Sequence, residues 1–158
     1  MPTPQPATPL HYRIEPADLH AHLFHVTLTI AQPAAQQRVA LPVWIPGSYM
    51  VREFAKNLQN LRATQGRRSV LVQQLDKATW QVDATPGKPL VLSYAVYALD
   101  NSVRTAWLDA SRGFFNGTSL CLQVAGQETL PHTLELVSTR ATAAWHVATG
   151  LPTVATDT

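Results

Sequence analysis

A single cysteine, Cys121, stands in this 158-residue chain, so no disulfide framework can close within it. Cystine-stapled folds are excluded, and a lone thiol suits a reducing compartment. Charge is scarce as well: Asp, Glu, Lys and Arg make up 14% of residues, and so low a share suggests that part of the surface is covered by something else. The 12 basic and 10 acidic residues leave a net charge of +2, with Arg67-Arg68 the one basic pair. Binding a phosphate backbone needs clustered cations, so no nucleic-acid partner is expected. No apolar run approaches the roughly 20 residues that cross a bilayer, and no membrane partner is expected. The opening MPTPQPATPLHYR has neither a basic n-region nor an apolar h-region. The expected location is cytoplasmic.

Motifs for chemistry are equally sparse. Helical zinc hydrolases need H-E-x-x-H, two imidazoles one turn apart with a glutamate beside them, yet no histidine here precedes a glutamate. G-x-S-x-G, G-x-G-x-x-G and Walker-type loops are absent. Asp100 and Asp109 are loop acids with no visible partner. Cys121 alternates with Leu120 and Leu122 and reads as structural. His20 and His22 would lie on one strand face, a spacing compatible with two metal ligands, but only Asp18 among acids lies near and His25 has the wrong parity. A polar strand start explains them better than a metalloenzyme does. Asn116-Gly117-Thr118 matches a glycosylation acceptor, which means nothing in a cytosolic protein. The expectation is no catalytic, metal-binding or cofactor-binding residue in this chain.

What the sequence does have is alternation. Hydrophobic residues reach 46%, which argues against disorder beyond residues 1–9, a proline-rich leader expected to be disordered. Phe24, Val26, Leu28 and Ile30 share one face of a strand, with His25, Thr27 and Thr29 on the other. Val39, Leu41 and Val43 repeat the pattern, as do Trp80 and Val82, then Leu120, Leu122 and Val124, then Leu134 and Leu136. Leu90–Leu99 is apolar on both faces and reads as a central strand covered on both sides. Pro46-Gly47, Pro86-Gly87, Asp100-Asn101, Asn116-Gly117 and Ala125-Gly126 are turns. Met50, Phe54, Leu58 and Leu61 instead fall at helical spacing, predicting one or two helical turns near 49–55 and then a strand from about 57 to 64. The fold class is mostly β: one antiparallel, sandwich- or saddle-like domain over 10–158, with one or two short helical turns.

Two segments exceed what core and turns require. Trp44–Phe54 gathers aromatics and a proline around a tight turn, followed by Arg52-Glu53. Tyr97–Asp109, leading to Gly113–Leu120, interleaves aromatic and polar residues. Such loops often form contact surfaces. The candidates are Trp44, Tyr49, Arg52, Asn101, Arg104, Trp107 and Asn116. The alternative role for both arginines is to anchor their own loops through Glu53, Asp100 or Asp109.

The stretches LPVWIPGSYMVREFAKNLQNLRA, YAVYALDNSVRTAWLD and GFFNGTSLCL resemble the glycyl aminopeptidase family, thermolysin-type metallopeptidases that usually carry a PDZ domain. The opening YRIEPADLHAHLFHVTLTI is similar to that family's first strands. The likeness runs from about Tyr12 to the end, and WIPGSYMVREF is its most specific part. It implies an N-terminal β domain preceding a thermolysin-like catalytic domain, much as a saddle-shaped domain opens the aminopeptidase N family. The zinc ligands and catalytic glutamate belong to that following domain, so none maps onto a position here. The chain is then a piece cut at a domain boundary or a truncated gene product. Its implied partners are the catalytic domain of the same parent and, in the whole protein, a peptide substrate. The competing class is a stand-alone β-sandwich module binding peptide or carbohydrate. A zinc motif in the downstream reading frame favours the first; a natural stop at Thr158 favours the second.

Overall fold

Alternating apolar residues become strands because successive side chains point to opposite faces. A computed structural model describes residues 7–154 and places twelve strands among them. They are β1 (Leu10–Asp18), β2 (Leu23–Ile30), β3 (Gln36–Ala40), β4 (Leu58–Gln65), β5 (Arg68–Val70) and β6 (Val72–Gln74), then β7 (Thr79–Asp83), β8 (Leu90–Tyr97), β9 (Ala106–Leu108), β10 (Gly113–Phe115), β11 (Gln123–Val124) and β12 (His132–Leu136). A one-turn helix, α1 (Gly117–Leu120), and two 3-10 turns complete the regular structure. The mostly β, sandwich-like class expected from the alternation is what the chain adopts. Most of the expected leader, residues 1–6, lies outside the described residues.

One sheet runs β12-β1-β2-β8-β4-β5, a second β11-β3-β7-β6, and β9 with β10 form a separate hairpin. Pairing is antiparallel except for β1 with β12, which is parallel. In the large sheet a single row crosses all six strands: Leu134, Tyr12, Leu28, Leu92, Ala63 and Val70. Tyr12, Leu28, Leu92 and Ala63 of that row are buried, and they join Ile14, Val26, Tyr94, Trp80 and Val82 in one core. β8 is central, as expected, but only one of its faces is fully buried. Val91, Ser93 and Ala95 on the other are half-exposed.

Four expectations need correction. No helix forms at 49–53; a 3-10 turn appears instead at Phe54–Asn57, and Met50 is 63% exposed. The helical spacing of Leu58 and Leu61 arises from a bulge in β4. Register shifts between Gln59 and Arg62, and Asn60 takes φ +56. The extra residue puts two leucines three apart on one side of a strand. Val43 is exposed because β3 ends at Ala40, before Pro42, which cannot donate to a ladder. Leu120 lies in α1 rather than on a strand, though Leu120, Leu122 and Val124 are all completely buried. Leu134 and Leu136 do form a strand, yet are 36% and 42% exposed.

The segment from Leu120 to Leu122 is tied to the large sheet by two buried phenols. Tyr12 donates to the Leu122 carbonyl at 2.6 Å and Tyr94 to the Leu120 carbonyl at 2.5 Å. The Leu122 N–H returns a bond to the Tyr94 oxygen at 3.2 Å. Burial raises both phenol pKa values above their ordinary value. The hydroxyls stay protonated donors at any physiological pH. Tyr94→Phe keeps the ring but leaves a buried carbonyl and a buried N–H unpaired. It should cost about 1–3 kcal/mol with little change in m-value, measured by urea melts.

Candidate functional site

The Trp44–Arg52 segment is organised by a proline-glycine turn. Ser48 N–H donates to the Ile45 carbonyl at 3.1 Å, and Gly47 takes φ +82. That is the backbone a Pro-Gly pair prefers, proline fixing the first central φ and glycine tolerating the positive one. The buried Ser48 hydroxyl then acts as a hub. It donates to the Met50 carbonyl at 2.9 Å and accepts from Arg52 Nε at 3.2 Å. The Trp44 indole N–H donates to the Ser48 carbonyl at 2.9 Å, and Arg52 N–H reaches the Val43 carbonyl at 2.5 Å. Arg52 is thus a loop anchor through Ser48, not through Glu53, which pairs with Lys77 at 3.3 Å. Trp44 keeps half its surface in solvent and Tyr49 is fully exposed.

Asp109 organises the second segment, contrary to its reading as a partnerless acid. Its Oδ1 accepts from the Ser111 N–H, the Ser111 hydroxyl and the Arg112 N–H at 2.7, 2.7 and 2.9 Å. Its Oδ2 accepts from the Trp107 indole at 2.9 Å. These donors, the Ser111 hydroxyl foremost, hold its carboxyl well below the usual range. The D-x-S order of Asp109-Ala110-Ser111 is the sequence signal, since a short acid readily caps the backbone two residues on. Arg112 lies over the Trp107 ring at 5.6 Å and reaches Asn101 Oδ1 at 3.4 Å. Asn116 Nδ2 donates to the Val103 carbonyl at 2.5 Å. Arg104 projects into solvent, and among the described residues its guanidinium bonds neither Asp100 nor Asp109.

The two segments approach one another at a cleft of about 200 Å³ between the 3-10 turn at Phe54–Asn57 and Leu99, Asp100 and Thr105. None of the seven candidate residues lines that cleft. Asn116 lines a larger groove of about 440 Å³ between β12, the β9–β10 hairpin and residues 145–151. Leu134, Leu136, Phe114, Trp145, Val147 and Leu151 give it an apolar wall, which the alternation of Leu134 and Leu136 disguised as core. Trp145 closes its floor against Gly113, where an added Cβ would sit 3.3 Å from the Trp145 ring and from Leu108 and 3.4 Å from Phe24.

His20 and His22 do not share a strand face. Both lie in the turn before β2, where Asp18 Oδ1 accepts the His20 and Ala21 N–H groups at 3.0 and 2.8 Å. His22 takes φ +59 and its Nδ1 lies 2.5 Å from the Leu108 carbonyl. Among the described residues no three His, Cys, Asp or Glu side chains converge as metal ligands. No helix there is long and apolar enough to cross a membrane. Cys121 is half-buried at the end of α1, and desolvation pushes its thiol up to about 12.

A family model described as the Peptidase M61 N-terminal domain matches residues 11–158. Among solved structures, an aminopeptidase N family protein from Idiomarina loihiensis superposes with a TM-score of 0.90 at 46% sequence identity. The match covers 94% of this chain and 25% of that one, so this chain spans about a quarter of its structural relative. A search of curated proteins returned no match.

Two outcomes follow from this geometry. A carboxyl with a depressed folded pKa stabilises its loop above the unfolded value of about 3.9, and that stabilisation is lost as pH falls through the folded value. Asp109→Ala should therefore speed amide exchange at Ser111 and Arg112 at neutral pH and have progressively less effect in strong acid. Native Cys121 should resist iodoacetamide at pH 8 and react readily in urea, because only the thiolate attacks.

Proposed function

We propose a function from one premise: this chain belongs to the Peptidase M61 N-terminal domain family. In our reading the parent protein is a zinc-dependent aminopeptidase of the glycyl type, with a PDZ domain further along and a cytoplasmic location. The present domain packs on its catalytic domain and walls one side of the peptide cleft. The family match over nearly the whole described chain carries the proposal. The 46% identity to an aminopeptidase N family protein supports it. No side-chain set among the described residues fits zinc. The metal and the water it would activate are assigned to the following domain, and no chemical step is assigned to this one.

The surface facing that domain is proposed to include Trp44, Tyr49, Asn101, Arg104, Trp107 and Asn116. Exposed aromatics beside an arginine are types favoured where protein surfaces meet. Arg104 supports this best, since its guanidinium has five donors and no carboxylate partner among the described residues. Arg52 is the weaker candidate, because Ser48 already holds it.

The test is expression of the complete reading frame. The full-length protein should hydrolyse glycyl or alanyl amides in a chelator-sensitive manner, and the isolated chain should not. A full-length product without that activity would overturn the reading. Arg104→Ala should change the stability of the isolated chain by less than about 0.5 kcal/mol, as for ordinary surface changes. In the full-length protein the same substitution should weaken docking or lower activity. Urea melts of both forms separate an interface role from loop anchoring.

A further inference from the structure

Backbone groups of a strand alternate between its two neighbours. Leu10 N–H donates to the Pro131 carbonyl, and Val137 N–H to the Ile14 carbonyl. Odd-numbered residues of β12 therefore bond to β1. His132, Leu134 and Leu136, paired in register with Leu10, Tyr12 and Ile14, turn their N–H and C=O groups to the opposite edge. β12 is the last strand of its sheet, and among the described residues no backbone group bonds to that edge.

Free edges are commonly guarded by short length, charge or a bulge. The far edge of the same sheet follows that rule: β5 has three residues, preceded by Arg67 and begun by Arg68. β12 does not. Its one charged side chain, Glu135, is turned to the other face and held by His11 at 2.9 Å and Arg13 at 3.6 Å. Leu134 and Leu136 instead border the groove, whose lining among the described residues includes His146 but no Asp, Glu, Lys or Arg.

We infer that β12 accepts an added strand: an extended apolar segment of the polypeptide following this domain in its parent peptidase lies along β12 and fills the groove. Residues 147–151 form the groove's rim, so a following segment is tethered beside it at high effective concentration. Strand addition supplies partners for the unpaired edge groups, and an uncharged wall selects uncharged side chains. The groove also adjoins the surface proposed above, because Asn116 lines it while bonding the Val103 carbonyl. The inference rests on the peptidase reading.

Hydrogen exchange in the full-length parent and in the isolated 158-residue chain tests it. The Leu134 and Leu136 amides should exchange about tenfold or more slowly in the parent. Leu136→Lys should abolish that difference while leaving the isolated chain's melting temperature unchanged. Equal exchange in an active parent would sink this inference alone, whereas a parent with no peptidase activity would sink the reading beneath it. Protection that grows with the concentration of the isolated chain would mean that a second copy takes the edge, and would also overturn the inference.

Discussion

Two phenolic hydroxyls, Tyr12 and Tyr94, hold the segment 120–122 on the large sheet, and the rest of the structure depends on them. That segment has too little regular structure to satisfy its own backbone, since α1 is one turn long and β11 has two residues. Buried carbonyls without partners are costly. The phenols solve this from within the core, where their rings belong to the same buried cluster as Ile14, Val26 and Leu92. With the segment fixed, Leu120, Leu122 and Val124 become core, and β11 pairs with β3, carrying the chain to the second sheet. A few hydrogen bonds thus couple the two sheets and the β9–β10 hairpin that leads into α1.

The Trp44–Arg52 and Tyr97–Asp109 loops are built differently. Each has one short polar side chain as its hub, Ser48 in the first and Asp109 in the second. Both hubs serve neighbours within a few residues, so they shape loops without drawing on the core. That frees Trp44, Tyr49 and Arg104 to face outward. Rigid loops presenting exposed aromatics lose little entropy when a partner covers them.

Much of the fold was legible because alternation reports burial directly. Phe24 to Ile30 and Trp80 with Val82 behave as their spacing implies. The misreadings share a cause: one-dimensional spacing cannot show where a third dimension intervenes. The bulge at Asn60 imitates a helix, α1 interrupts an alternating run, and Leu134 and Leu136 alternate correctly but have no facing layer. Of the site, the two segments were visible by their aromatics and turns. The bond from Arg52 to Ser48 was not legible beside its reading as a contact-surface residue, because a serine hub four residues away leaves no charge signature. The apolar groove was hidden because its walls come from distant parts of the chain.

The parallel pairing of β1 with β12 has a consequence for synthesis. His11 and its partner Thr133 are 122 residues apart, so on a ribosome adding about 5–20 residues per second the first strand waits roughly 6 to 24 seconds for its neighbour. Throughout that interval β1 has only β2 beside it, and the backbone groups of Leu10, Tyr12 and Ile14, which face β12, have no strand to bond. All three residues are core, and Tyr12 is also one of the phenols that fix the 120–122 segment. The domain therefore closes late and from its two ends at once, so the nascent chain, more than the finished one, is the form with most need of protection from other strands.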